Sequence, residues 1–471
     1  MCLSVILLPL AACSATEPAP ENRASGGSSA AGSAENFAGG GAPANGGGSA
    51  SGSGAPAIAG ATNAGSMAGA AGVVVAAGGS SGGQGGTSAA AGATHAAAGG
   101  PSPGAGGSSG VAGSNAGGGT STADGTGAPE DSPKGYGQAT TGGGKTNAVT
   151  VATFAAVQAA IDGYSGTGGL VLEYTGKFDF TSIKDPCVQH NLPAQTVEIK
   201  SKSDITIRGA AGSGANFGFH IAAAASNVII RNMTIGLLPG GSDSDIISIE
   251  GMSGGMPKNI WIDHNELFSS LAVCAGAGDT AFDGMLDVKK GADMITVSYN
   301  YLHDHHKVAL NGFTDDDDAV RHITFHHNLF ENIGSRVPLQ RHGYAHVSNN
   351  YFSKVQASGI NVRMGGYALV EANYFEYVKN PVTARDSSEV GFWDLRNNNL
   401  ASAADVAPGN KFGITWDNGN SGTVNATAWT TTAAFPVALG YTLTAQPAQC
   451  VRDGLRAAAG SNKSLVTLKC K

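Results

Sequence analysis

The chain has 471 residues, a net charge of −8, 72 glycines, 13% charged and 7% aromatic side chains, with no apolar run near the ~20 residues that span a bilayer. It lacks the basic excess that holds nucleic acid and the three-residue glycine period of collagen. The average hides two kinds of chain: residues 21–130 hold 34 glycines with Phe37 as their one aromatic, whereas 136–471 is long enough for one large domain with its own core.

From the N-terminus, residues 1–12 form a short apolar run ending in Leu10-Ala11-Ala12-Cys13. This resembles the lipobox of bacterial lipoproteins, in which the cysteine is lipidated and becomes the new N-terminus. Met1-Cys2-Leu3 lacks the basic residues that open such a segment, and a secretory signal cut nearby is the plainer alternative. Residues 13–135 read as a disordered tether, because so little apolar surface cannot offset the entropy of ordering it. About 120 residues of that composition reach on the order of 60 Å. The expected location is extracellular or at the cell surface, with the membrane touched only through a lipid at Cys13. Setting Cys2 and Cys13 aside leaves Cys187, Cys274, Cys450 and Cys470, an even number that predicts two disulfides in an exported chain. Of the three pairings we favour Cys187 with Cys274 and Cys450 with Cys470, the latter closing a short C-terminal loop.

The domain is placed at 136–471. Residues 1–135 carry six acids and two bases, which leaves it 29 acids and 25 bases, so any anionic partner must be met by local charge or a metal. Gly142-Gly143-Gly144-Lys145-Thr146 imitates a phosphate loop but has Ala139 where the first glycine belongs. Thr153 is a helix N-cap, and Phe154, Val157, Ala160 and Ile161 recur at helical spacing up to Gly163. Short strands follow, among them 204–208 and 227–230. Asparagine then recurs before apolar residues at 232, 265, 300, 328, 350, 373 and 398, with intervals that do not fall below 22 residues.

A period of this kind marks a solenoid. With strands as its units, the expected fold is all-β: a right-handed parallel β-helix whose coils stack at ~4.8 Å. Asparagines at matching turns would form a hydrogen-bonded ladder, and the helix at 154–162 would cap one end. An antiparallel sandwich would show turns every 8 to 12 residues instead.

Charge concentrates in four segments: Asp243-Ser244-Asp245, Asp279 to Lys290, His303 to Lys307, and Arg336 to Arg341. Asp283, Asp287 and Lys289 share a face along a strand, but four extended residues span ~13 Å. Both carboxylates can hold one ion only if the chain bends, which Gly284 permits. Asp245 from an earlier coil completes an all-oxygen set suited to Ca²⁺, with solvated acids on loop tips as the alternative. Lys307 lies 7 residues past Asn300 and Arg336 lies 8 past Asn328, so both emerge at nearly one angular position. A carboxylate cluster beside a cation row suits a polymer with repeating carboxylates, such as polygalacturonate.

Trp261-Ile262-Asp263-His264-Asn265, the Asp283–Lys289 segment, Val297-Ser298-Tyr299-Asn300-Tyr301 and Arg336-x-Pro-x-x-Arg341 together resemble the extracellular bacterial pectate lyases of the parallel β-helix type. The likeness runs from about Tyr136 to Cys470 and includes the cysteines. It implies Ca²⁺-dependent β-elimination of polygalacturonate by a monomer, with Asp245, Asp283 and Asp287 as calcium ligands and Asp243 and Asp279 contributing. It further implies Lys289, Lys307 and Arg341 as contacts to substrate carboxylates and Arg336 as general base. A guanidinium is ordinarily protonated, and neighbouring cations favour its neutral form. Position 283 departs from the family in carrying Asp where relatives often have Glu, and the Cys274–Asp279 stretch is shortened. A pectin lyase shares the fold but needs no calcium carboxylates, a polygalacturonase hydrolyses with paired acids, and a non-catalytic adhesin would bind without turnover.

Three features read as structural. His303, His305 and His306 suggest packing instead of zinc, with His306 on the face opposite the other two. Asp315 to Asp318 reads as a solvated loop, and Asp263-His264 as a hydrogen-bonded pair beside the core.

Overall fold

The computed structural model describes residues 123–241, 244–278, 281–386, 388–400, 411–415 and 433–470. The chain is a parallel β-solenoid. Three sheets of ten, eight and six strands run along it, and a typical coil gives one strand to each: Asp293–Ser298 to the ten-stranded, Tyr301–Lys307 to the six-stranded and Ala309–Asn311 to the eight-stranded sheet. Alternation decides which side chains enter the tube. Val228, Ile260, Ile295 and Ile323 occupy one register column, and Phe330, Phe352 and Phe375 stack with ring centres 5.0 and 4.8 Å apart. Those separations match the rung spacing, so like residues pack on like from coil to coil.

The asparagine ladder is present. Oδ1 of Asn300, Asn328, Asn350, Asn373 and Asn398 each accepts from the backbone N–H of the preceding ladder residue, at 2.8–3.0 Å. Every ladder asparagine follows a residue in the left-handed conformation: His264, Tyr299, His327, Asn349, Ala372 and Asn397. Asn232 is not a member. It occupies the left-handed position itself (φ 55°), and its successor Met233 donates its N–H to Asn265 Oδ1 at 3.0 Å.

At the N-terminal end the helix Phe154–Gly163, capped by Thr153, buries Val157 and Ile161 against the core. Near the C-terminus the helix Ala448–Ala458 packs Val451 and Leu455 on Tyr299, Leu329, Tyr351 and Tyr374. Both expected disulfides are formed, Cys187–Cys274 and Cys450–Cys470. The expected boundary at 136 falls too late. Ala123–Gly127 pairs antiparallel with Thr467–Cys470, and Lys134 bonds Glu130 at 2.8 Å; backbone pairing needs no apolar side chain, so composition did not register it. Residues 1–122, including Cys13 and nearly all of the expected tether, lie outside the described residues.

Candidate active site

The site lies on the outer face of the eight-stranded sheet. Along Ile247–Glu250 and Leu286–Lys289, Ile247, Ile249, Leu286 and Val288 enter the core, which turns Ser248, Glu250, Asp287 and Lys289 outward. Register then sets Asp287 beside Ser248 and Leu310, and Lys289 beside Glu250. Asp283 lies ahead of the strand. The chain bends between the two carboxylates, at Met285, and at Gly284 a Cβ would stand 2.4 Å from Asp287 Oδ1, so the Asp287 carboxylate fills the space that a side chain at 284 would need. The same residue donates its N–H to Asp245 Oδ1 at 2.9 Å.

Three carboxylates from two coils therefore converge. Burial, then the charge of Asp245, holds the Asp287 carboxyl well above the usual range, with Lys289 pulling the other way. Burial and Asp245 also raise Asp283, opposed by Lys307 and Lys289. Lys289 bonds Asp245 Oδ2 at 2.6 Å; against the cost of its own burial, Asp287 and Asp245 push it upward. Lys307 stands 3.5 Å from Asp283 Oδ1. The cluster carries more negative charge than its lysines offset, and its oxygen donors suit a hard divalent cation. Among the described residues no three His, Cys, Asp or Glu side chains stand at metal-holding spacing, so the three carboxylates face one another without forming a closed ligand set, and Lys289 occupies one oxygen of Asp245. Asp243 and Asp279 lie outside the described residues.

The cation row forms the adjoining flank. Lys307 is in register with Ser335, the residue before Arg336, and Arg336 is close enough for its charge to draw Asp287 downward. Arg336 adopts a left-handed backbone (φ 64°), and among the described residues no acceptor holds its half-exposed guanidinium. Arg341, expected to contact a substrate carboxylate, is held by the protein as well. It is buried, with Nε donating to Asp315 Oδ1 at 2.7 Å and Nη1 to Gly312 O at 3.1 Å, which leaves Nη2 for a ligand.

Asp315 to Asp318 is therefore not a merely solvated loop. Asp317 pairs with the fully buried Arg321 at 2.6 Å and accepts the Lys290 and Phe313 N–H groups, pinning the loop beside the groove. The histidines also depart from simple alternation. Asp304 is left-handed (φ 52°), so His303 faces out to stack on Phe268 and Tyr301, while His305 turns inward and bonds Ser269. The packing role stands, but the shared face of His303 and His305 does not. Asp263 and His264 are buried together as expected, with Arg231 and Ser298 also on the carboxylate.

Sequence reasoning missed Glu198, His220 and Glu250. They line a cavity of about 270 Å³ together with Asp245, Asp283 and Lys289. His220, 2.9 Å from Glu198, is pushed up to about 9 by hydrogen bonds to Glu198 and then Glu250. The only signal was one polar residue alternating between Phe219 and Ile221. A larger depression, about 580 Å³, lies against Met252 and Met256 and has Lys290 as its one ionisable residue.

Comparisons with known proteins identify the family. A family profile described as "Pectate lyase" matches residues 54–464. Pectate lyase 3 of Pectobacterium carotovorum subsp. carotovorum is 42% identical over 353 residues, covering 70% of this chain and 91% of that protein. Pectate lyase II from Xanthomonas campestris pv. campestris is 57% identical with a TM-score of 0.66, covering 71% of this chain and 99% of that one. Two structures of pectate lyase C are each 38% identical with TM-scores of 0.66. One is an arginine-to-lysine variant in complex with pentagalacturonic acid, covering 71% of this chain and 98% of that one. The other, from Erwinia chrysanthemi at pH 9.5 with 30 mM Ca²⁺, covers 72% and 99%. The chain belongs to the pectate lyase family and is a pectate lyase enzyme.

Proposed function

We propose that the enzyme cleaves de-esterified polygalacturonate by calcium-dependent β-elimination and releases unsaturated oligogalacturonides. The observation that carries this reading is the convergence of Asp245, Asp283 and Asp287 beside Lys307 and an unengaged Arg336. That relatives were solved with pentagalacturonic acid and with Ca²⁺ supports it.

Asp245, Asp283 and Asp287 would hold the ion, with Asp243 and Asp279 as further ligands. Calcium supplies, when bound, positive charge at the C6 carboxylate of the sugar being cleaved. Arg336 takes the C5 proton, the electron pair left behind becomes the C4=C5 double bond, and the C4–O bond breaks with its oxygen protonated from solvent. Negative charge grows on the C6 carboxylate as the proton leaves. Lys307 meets it from a fixed position, a kind of contact whose removal costs about 2.7–4 kcal/mol. Lys289 and the remaining nitrogen of Arg341 orient neighbouring carboxylates.

The test is ultraviolet absorbance on polygalacturonate with and without Ca²⁺. An unsaturated product that appears only with the ion is expected, and chelation should abolish it while the circular dichroism of the solenoid persists. Reducing ends without absorbance would mean hydrolysis. Binding without any product would mean an adhesin, and melting on chelation would make the metal structural.

A further inference from the structure

Of the three carboxylates, only Asp287 sits on a strand of the sheet. Asp245 and Asp283 stand in the segments that lead into Ile247–Glu250 and Leu286–Lys289, outside the ladder that fixes Asp287. Both segments touch one small apolar lobe outside the main core, where Cys274, Ala281 and Phe282 are buried together and Cys187 and Leu237 pack on them.

The lobe is anchored to the solenoid. The short helix Pro186–Gln189 is capped by Asp185, whose carboxylate accepts from Cys187 N–H at 2.8 Å. Gln189 Nε2 donates to Asn216 Oδ1 at 3.1 Å, and Asn216 Nδ2 donates to the carbonyls of Gly236 and Leu237 at 2.7 and 2.6 Å. The disulfide passes this fixed position to Cys274, which closes a tight turn with Gly278 through bonds of 3.1 and 2.7 Å. Phe282, the neighbour of Asp283, sits in the lobe with its ring 6.3 Å from that of His190. The Asp245 segment meets the same place. A Cβ on Gly241 would lie 3.1 Å from His190 O and 3.5 Å from Ala281 O, so helix end and both segments come together there.

We infer that the Cys187–Cys274 disulfide and Phe282 are positioning elements of the cation site, setting Asp283 and Asp245 against the strand-borne Asp287. The inference rests on the calcium reading above. A merely structural disulfide would stabilise by restricting the unfolded chain and would leave ion affinity alone.

Calorimetric titration of Ca²⁺ into the full chain separates the two. Partners that orient metal ligands typically carry 10–100-fold in affinity, so Cys187→Ala/Cys274→Ala should raise the Ca²⁺ dissociation constant by about ten-fold or more, with turnover recovered at excess Ca²⁺. Cys450→Ala/Cys470→Ala should lower the melting temperature and leave the constant unchanged. Equal Ca²⁺ affinity in the Cys187/Cys274 variant and the parent overturns the inference. If that variant does not fold, Phe282→Ala with the disulfide intact carries the same titration: a weakened constant upholds the inference and an unchanged one overturns it. A parent protein that takes up no Ca²⁺ would remove the calcium reading itself, and the inference with it.

Discussion

Arg336 differs from the other cations of the groove in what surrounds it. Lys289 is bound to Asp245 at 2.6 Å and Arg341 to Asp315 at 2.7 Å, so their charges are already answered, whereas among the described residues no acceptor holds Arg336. An unengaged guanidinium at the end of the cation row can meet the substrate and the departing proton. Arg336→Lys keeps a positive charge for the polymer but moves the nitrogen from a planar fork to the tip of a flexible stem. Because a positioned base contributes about 10²- to 10⁴-fold, kcat should fall by roughly that factor with KM little changed. A kcat near that of the parent would remove Arg336 from the chemistry. Much of this site was readable residue by residue, since Asp283, Gly284, Asp287 and Lys289 lie within one stretch and the bend could be inferred from its glycine. The commitment of Arg341 to Asp315 could not, because it crosses coils of unequal length.

At the scale of the element, the turn between the ten- and six-stranded sheets ties each coil to the next through its asparagines. Asn328 accepts from Asn300 N–H at 3.0 Å and donates to Val297 O and Asn350 Oδ1, each at 2.9 Å. Asn328→Ala strands those buried partners, so it should destabilise by at least about 2 kcal/mol, the scale of one or two unpaired buried polar groups. Asn398→Ala, at the last rung and half-buried, should cost less, and chemical denaturation of the two variants checks the order. Coil repetition made this ladder legible. Its one slip, at Asn232, shows the limit: the pattern marks the turn, but φ decides which of two adjacent residues turns and which enters the ladder. The same limit explains the histidines, where the left-handed Asp304 reverses the alternation that a strand reading assumes. The strand Ala123–Gly127 was invisible for another reason, since its partner lies more than 300 residues away and its sequence has no apolar face.

Over the whole molecule, buried histidines weaken the fold in acid: His305 is one, brought down to about 3 by burial, and His326 and His327 are two more. His326 and His327 lie between the ten-stranded sheet and the C-terminal segment, the latter bonded to Gln446 at 3.2 Å, and burial brings each down to about 3. The unfolded chain takes up protons on these residues near 6.5, while the folded chain does not until about pH 3. Below about 6.5 the unfolded state therefore binds more protons, and each histidine removes up to about 1.4 kcal/mol of stability per pH unit as pH falls. His220 has the opposite sign. Raised to about 9, it supports the fold below the unfolded value and loses that contribution as pH rises through 9. Asp283 and Asp287, held above the carboxylate range, also oppose the trend in the calcium-free protein, so the absolute profile mixes several groups. Comparison of variants isolates the histidine: between pH 6 and 4.5, His326→Gln should show a stability slope shallower by about one proton, or ~1.4 kcal/mol per unit. Denaturant midpoints across that window measure it, and parallel slopes for parent and variant would mean that His326 is protonated inside the fold.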